Sequence, residues 1–487
     1  MMNQLGEASP TRRARSNPRR WLVLPMLGTA FFIAMLDGTI VYTALPQIQR
    51  ALDFSVSGLQ WVMSAYLLSF GGLLLLAGRL ADRLGRHRMF ALGMALFTAG
   101  SLVAGLAWSS GALIGARAVQ GIGAAVMAPT TLSLVVAAFG ESPDRRRALT
   151  VWTAIGAFGG TAGLVIGGLI TDNLGWRWIF LLNVPVGVVL LVMSPALPRR
   201  TAGPGDRRAF GVVGAVTLTV ALVLLVFAVT GAAHAGWASA RTVGLVLASA
   251  ALLALSALVE LRAREPVVPL RALARRTLVG GVIVLLTAGM ALDGTLFLLT
   301  GYLQRVLGYS ATTFGVMLTA MTLSSVVGSF AGQILVVRRG FRPVASVGMA
   351  LIGLGCLLLT AVSAAGSYVG EVFVALLLIG PGLGAAFVAA QIAMVSGFPE
   401  TESGEAGSLA DASFSIGGVL GLAVLSAALV SRTPGAAADQ VVSLPALATG
   451  ISAGFGAAVF IAAAGFAAAV MLLRPHPARE PRQVTTR

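Results

Sequence analysis

Fourteen apolar stretches follow one another along the chain, near 21–43, 58–77, 89–108, 111–138, 149–171, 179–197, 210–231, 240–260, 277–300, 313–337, 344–363, 370–395, 407–430 and 450–473. A helix needs about 20 mainly apolar residues to cross the hydrocarbon of a bilayer, and each stretch supplies roughly that length. In hydrocarbon the backbone must satisfy its own N–H and C=O groups within the segment, which selects helix. Strands of a membrane barrel would alternate in polarity over about ten residues, and these runs are continuous. Composition agrees: 57% of residues are hydrophobic, 11% are charged and the mean hydropathy is +0.89, whereas soluble domains carry about 25% charged residues. The expected fold class is an all-α membrane protein with fourteen transmembrane helices, numbered spans 1 to 14 in chain order.

Arginine sets the expected orientation. All 34 basic residues are arginine and the formal net charge is +16. Clustered basic residues attract phosphate, but these fall in short turns and tails, which argues against nucleic acid as a partner. The two tails and the turns after even-numbered spans hold 28 of the 34; Arg50, Arg177, Arg241, Arg305 and Arg432 lie on the other side, and Arg117 lies within span 4. That asymmetry places both termini in the cytoplasm and fits an even number of spans. The absence of lysine fits a GC-rich bacterial genome, so the expected location is a bacterial inner membrane. Span 1 follows Arg12, Arg13, Arg15, Arg19 and Arg20 as a secretory signal would. It is long enough to cross, contains Asp37 and lacks a well-placed small-x-small cleavage site, so it reads as a permanent helix.

Several functions are excluded by what the chain lacks. A phosphate-cradling loop needs Lys-Ser or Lys-Thr, and there is no lysine. His87, His234 and His476 lie in turns or the tail, and no His-Glu-x-x-His pattern occurs. No metal, cofactor or enzymatic activity is expected. The single cysteine, Cys356, permits no intrachain disulfide.

The chain repeats itself. Leu36-Asp37-Gly38-Thr39-Ile40 leads to Gln49-Arg50-Ala51-Leu52, and Leu292-Asp293-Gly294-Thr295-Leu296 leads to Gln304-Arg305-Val306-Leu307, at an offset of about 255 residues. Transporters are often built from such repeats, with the substrate site where the halves meet. The expected organisation is a tail (1–20), a six-helix bundle (21–197), a linker carrying two inserted helices (198–276), a second six-helix bundle (277–473) and a tail (474–487).

The turn after span 2 reads Gly78-Arg79-Leu80-Ala81-Asp82-Arg83-Leu84-Gly85-Arg86-His87-Arg88. Its glycines permit a tight turn, and Asp82 lies among cations able to bond it. The ordered pattern resembles the signature loop of the major facilitator superfamily, which implies a gating role for Gly78, Asp82, Arg83, Gly85 and Arg86. Leu36 to Val41 with Ala44-Leu45-Pro46 resembles the first-helix motif of fourteen-span drug:proton antiporters. Arg117-Ala118-Val119-Gln120-Gly121-Ile122-Gly123 resembles the fourth-helix motif. Gly159, Gly163, Gly167 and Gly168 resemble the antiporter motif of span 5, with Leu164 where that motif usually carries proline, which removes an expected kink. Trp176 to Phe180, with Asn183 and Pro185, is similar to the same group. The resemblance implies a major facilitator fold of two six-helix bundles plus two inserted helices. It further implies efflux of antibiotics or other drugs and a monomeric working unit.

Two charges inside the membrane bear on mechanism. At about 1.5 Å per residue, Asp37 lies about 9 Å short of the outer end of span 1 and Arg117 about 10 Å below the outer start of span 4. Intramembrane charges are costly and are usually paired or functional. The reading is that Asp37 carries the proton while Arg117 alternately stabilises and releases its charge; a static ion pair is the alternative. Asp293, by its place in the repeat, and Asp411 are candidate substrate or proton carboxylates. Gly156, Gly160, Gly163 and Gly167 on span 5, and Gly328 and Gly332 on span 10, are expected to form flat faces that slide between the halves. Phe31, Tyr66, Met127, Phe158 and Phe297 are candidate cavity linings. The leading function is proton-coupled export of small hydrophobic or cationic compounds by alternating access. Uptake by the same fold and a non-transporting sensor are the alternatives.

Overall fold

Residues 19–140, 144–197, 212–262, 275–396, 403–433 and 443–473 are described by a computed structural model, and among them every regular element is helical. Nearly all of the two expected tails, residues 198–211 and 263–274 of the expected linker, and the side chain of Asp82 lie outside the described residues. Below, the arginine-rich side is called inner and the opposite side outer.

Span 1 is Arg19–Ala51, span 2 is Val56–Leu59 followed by Trp61–Leu84, span 3 is Arg86–Gly105, span 4 is Ser110–Phe139 and span 5 is Arg145–Asn173. Span 6 is Trp178–Leu181 followed by Asn183–Met193. Span 7 is Val212–Ala235 and span 8 is Ala240–Arg262. Span 9, Arg276–Thr300, continues as a π-helical turn at Gly301–Val306; span 10 is Ala311–Arg339 and span 11 is Phe341–Leu359. Span 12, Phe373–Val395, is entered through a π-helical turn at Tyr368–Val372, span 13 is Ser403–Arg432 and span 14 is Leu444–Leu472. Thirteen of these are long and apolar enough to cross a membrane by their described residues; span 7 contributes an apolar helix over Val216–Ala232.

Span 1 outruns its expected end at residue 43. Pro46 sits inside the helix, and the polar Gln47, Gln49 and Arg50 that end the apolar run are helical too. Gln47 donates to the Thr171 carbonyl at 3.0 Å, so this polar outer turn is held by span 5.

The repeat is visible in the packing. Spans 1 and 5, 3 and 4, and 2 and 4 pack closely, as do their counterparts 9 and 13, 11 and 12, and 10 and 12. Spans 7 and 8 pack on each other, with span 7 also against spans 2 and 13. Gly85 ends span 2 and opens span 3 at φ 97°, and Gly340, 255 residues later, does the same between spans 10 and 11 at φ 82°. Only glycine adopts such a conformation at low cost, so one residue reverses the chain in both places.

The glycine faces depart from expectation. Gly156, Gly159, Gly163 and Gly167 press on Phe31, the Phe32 and Leu36 carbonyls and Ile40, so this stripe joins span 5 to span 1. Gly160 is not part of it, because a Cβ there would meet nothing within 4 Å. Gly328 and Gly332 likewise pack on Pro381 and Ala385 of span 12. Spans 5 and 10 cross instead at Leu164, Gly168 and Gly315. A Cβ on Gly315 would lie 2.1 Å from the Leu164 carbonyl oxygen, and one on Gly168 would lie 2.4 Å from the Ala311 oxygen. At 100° per residue, Gly168 is one step round the helix from Gly167, enough to face a different neighbour.

Candidate functional site

Span 4 approaches span 2 so closely that a Cβ on Gly121 would lie 2.4 Å from the Tyr66 carbonyl oxygen. It meets span 3 through Gly123 and Gly93, backbone against backbone. Those contacts bring the Val62 carbonyl of span 2 within 3.0 Å of Arg117 Nε. The Arg117 side chain is fully buried, its guanidinium 4.3 Å from the Tyr66 ring centre and 5.7 Å from that of Phe180. Aromatic faces are favourable neighbours for a cation out of water.

Asp37 is also fully buried, and its Oδ2 accepts from Arg117 Nη1 at 2.5 Å. Oδ1 accepts from Gln120 Nε2 at 3.1 Å and from Asn183 Nδ2 at 2.9 Å. Gln120 in turn accepts from Arg117 Nη1 at 3.1 Å and donates to Ser101 Oγ at 2.8 Å. Spans 1, 4 and 6 therefore meet at one carboxylate, and spans 2 and 3 join through Val62 and Ser101, which bond its partners Arg117 and Gln120. Arg117 Nη2 and Asn183 Oδ1 are buried without a protein partner, so the cluster keeps hydrogen-bonding capacity in reserve. A charge of each sign, bonded and out of water, is costly to separate.

Asp293 lies across the boundary between the two repeats. Its Oδ1 accepts from the Tyr42 hydroxyl at 2.7 Å, and Tyr42 is fully buried. Further outward, Gln304 donates to the Thr43 carbonyl at 3.2 Å and Arg305 to Gln49 Oε1 at 2.9 Å. Asp172, at the outer end of span 5, accepts from the N–H groups of Ala311 and Thr312 at 3.2 and 2.8 Å, capping span 10. These bonds close the outer side between the repeats. A small cleft remains there, lined by Leu45, Phe297, Thr300 and Leu429 among others.

The remaining expected positions are dispersed. Asp411 is exposed on span 13, eight residues after Ser403, or about 12 Å along the helix. Phe158 is 66% exposed on span 5. Phe31 is half-buried and stacked on Trp152, Met127 is buried in the core, and Tyr66 lies under Arg117. Gly78 faces Pro129, and Arg86 donates to the Ser133 carbonyl at 3.3 Å.

Tyr42 was not singled out from sequence, and Gln120 and Asn183 were named there only as motif residues, with no role at Asp37. Gln120 had a readable signal, lying three residues from Arg117 on the same helical face. Asn183 could be noticed as an amide within an apolar span, but its partner could not.

The model of the Major Facilitator Superfamily matches residues 27–310 and 281–487. The puromycin resistance protein pur8 of Streptomyces alboniger is 35% identical over 461 residues, covering 94% of this chain and 90% of that protein. The cephamycin export protein CmcT of Amycolatopsis lactamdurans is 35% identical, covering 90% of this chain and 91% of its own length. Among solved structures, a bacterial homolog of the human lysosomal transporter Spinster, in an inward-facing conformation, matches with a TM-score of 0.64 at 16% identity, over 95% of this chain and all of that one. The nucleoside transporter NupG matches with a TM-score of 0.64 at 12% identity, over 92% of this chain and 99% of that one.

Proposed function

Because the chain belongs to the major facilitator superfamily, we propose that it is a secondary transporter that exports small hydrophobic or cationic compounds, antibiotics among them, in exchange for protons. Relatives named for resistance to, or export of, puromycin, cephamycin and tetracenomycin C support the direction and the substrate class. The two six-helix groups, 21–197 and 277–473, rock about a central site, with the termini in the cytoplasm and a single chain as the working unit.

The observation that carries proton coupling is the fully buried Asp37–Arg117 pair, with both carboxylate oxygens engaged. In this reading an external proton neutralises Asp37 and frees Arg117. The guanidinium then falls back on Gln120 and the Val62 carbonyl, which it already contacts. Release of the proton to the cytoplasm restores the pair. Asp411, exposed in the inner half of span 13, supplies a negative charge to cationic substrates in the inward cavity. A carboxylate facing lipid there would be costly, whereas one facing water is not.

The test is dye or antibiotic flux in proteoliposomes under an imposed pH gradient. Wild type accumulates substrate against its gradient when protons flow the other way, and Asp37→Asn does not. Gradient-driven transport that survives intact in Asp37→Asn rules the coupling scheme out.

A further inference from the structure

The duplicated carboxylate has a different partner in the second repeat. Asp37 and Asp293 occupy matching places on spans 1 and 9, but Asp37 is met by a guanidinium from its own repeat. Span 12, the counterpart of span 4, contains no ionisable residue between Phe373 and Val395. Asp293 is met instead by Tyr42 from the other repeat, hydroxyl to Oδ1 at 2.7 Å.

We propose that Asp293 is a second proton-binding site, read by Tyr42 across the boundary between the repeats, so that the outer side closes on the protonated acid and loosens when the proton leaves. This rests on the transport reading above and adds a site to it.

The argument turns on what surrounds the carboxyl. Asp293 is 8% exposed and its Oδ2 lies so close to span 13 that a Cβ on Gly418 would be 2.1 Å away. Spans 13, 14, 12, 11 and 1 pack against span 9. Span 13 carries Glu405 in its first turn, Asp411, seven residues inward of Gly418, and Arg432 at its outer end. Span 14 offers no ionisable residue, and span 12 only Tyr368 and Glu371 in its outer π turn, where Glu371 accepts from the Tyr302 hydroxyl. Span 11 offers Cys356, 3.9 Å from Thr295, and Arg342 at its inner end. Span 1 offers Tyr42, and five residues earlier Asp37, already paired with Arg117. Span 9 itself carries Arg276 at its inner end, seventeen residues before Asp293, and Arg305, twelve residues on, which is bonded to Gln49. Among the described residues, then, none of these helices sets a cation against Asp293, and one phenol hydrogen bond is its visible support. A single hydrogen bond to a charged group offsets only part of the cost of burying an ion. Closing this seam around an ionised Asp293 is therefore unfavourable. The neutral acid can be buried and still accept from Tyr42 through its carbonyl oxygen.

The experiment reads gate closure directly. In full-length chain carrying Cys356→Ser, a reporter Thr300→Cys is labelled in intact cells with a membrane-impermeant maleimide from pH 5.5 to 8.5. Thr300 is 2% exposed and lines the outer cleft. Labelling rates are normalised to a freely exposed cysteine, which removes the reagent's own pH dependence. The expected wild-type result is labelling that rises at least threefold with pH. Asp293→Asn, permanently neutral and still an acceptor, should be slow and flat. Tyr42→Phe should label at least threefold faster at the low end.

Gly418→Ala, which displaces the carboxyl without touching it chemically, should resemble Tyr42→Phe and covers the case in which Asp293→Asn does not fold. An Asp293→Asn profile that keeps the wild-type pH dependence overturns the proposal, as does a Tyr42→Phe rate equal to wild type. Labelling does not require transport, so the two readings separate. If pH dependence disappears in Asp37→Asn and persists in Asp293→Asn, proton coupling stands and the second site falls.

Discussion

Removing the charge of Asp37 while keeping its shape isolates the energetics of the central cluster. Asp37→Asn retains an oxygen able to accept from Gln120 and Asn183, whose bonds to the native carboxylate are 3.1 and 2.9 Å. What it removes is the anion 2.5 Å from Arg117 Nη1, leaving a fully buried guanidinium with the Val62 carbonyl and Gln120 as its partners. Breaking one side of a buried pair costs about 3–5 kcal/mol, because the surviving charge is uncompensated. Arg117→Met strands the carboxylate in the same way and should cost a similar amount. The double variant Asp37→Asn/Arg117→Met has no stranded charge and should be more stable than either single one. Since the double variant loses less than either single one, the coupling energy of the cycle is at least about 3–5 kcal/mol, well above the roughly 0.5 kcal/mol seen for independent sites. The assay is unfolding of detergent-purified protein by heat or denaturant, in parallel with gradient-driven export. Stability should recover in the double variant while proton-driven export remains at least tenfold below wild type. Additive losses of stability would show that the two charges are solvated separately, and the coupling argument would fail with them.

Three further outcomes are expected. Gly85→Ala and Gly340→Ala, at φ 97° and 82°, should each cost about 1–2 kcal/mol through left-handed backbone strain, read as a lower unfolding midpoint with the transport selectivity unchanged. Gly315→Leu places atoms against the Leu164 carbonyl, 2.1 Å from the first added carbon; it should hold the outer side open, seen as faster external labelling of Thr300→Cys and loss of export. Asp411→Asn should reduce export of monovalent cationic dyes by about tenfold, the equivalent of about 1.4 kcal/mol, and leave neutral substrates within about twofold; equal losses for both classes would remove Asp411 from substrate recognition.

How much of this was readable beforehand depended on the range of the interaction. The helices were legible because hydrocarbon demands length and apolarity from each segment separately. The Asp37–Arg117 meeting was legible because depth in the membrane can be counted along each helix, and intramembrane charges are few. The direction a face points was harder to read. Gly160 and Gly159 differ by one step of 100°, and only the packing shows that Gly159 belongs to the stripe against span 1. Asn183 and Tyr42 are ordinary polar residues in apolar runs until the fold brings them to Asp37 and Asp293, 146 and 251 positions away. No local periodicity encodes a partner at that separation. The reversal glycines lay between the two: Gly85 was expected in a tight turn, but its equivalence to Gly340 emerges only once both are seen to join consecutive helices without an intervening loop.

The strength of the outer closure decides whether such a molecule can alternate at all. Within each repeat, helices meet backbone to backbone, as at Gly93 with Gly123 or Gly348 with Gly382, contacts that cannot be undone without taking the bundle apart. Between the repeats, the described outer hydrogen bonds come from Tyr42, Gln304 and Arg305 and from the N–H groups of Ala311 and Thr312. Bonds between neutral groups are worth about 0.5–1.5 kcal/mol net and those to Arg305 or Asp172, which are charged, about 1.5–3, so together they hold the outer side with roughly 5–12 kcal/mol. Moving a two-state equilibrium from 1:99 to 99:1 takes about 5.5 kcal/mol. Nearby polar atoms temper the closure further. Gln60 and Ser64 on span 2 and Ser426 on span 13 are buried without protein partners. Helical register places Ser426 opposite them, since Gly71 meets Ser415 further in and the two helices run antiparallel. Left unbonded, such groups cost about 1–3 kcal/mol each, a cost that hydration on opening relieves. Filling this seam with Gln60→Leu and Ser426→Ala should therefore strengthen closure, slow external labelling of Thr300→Cys and lower turnover together. Faster turnover with slower labelling would mean that outer opening does not limit the cycle.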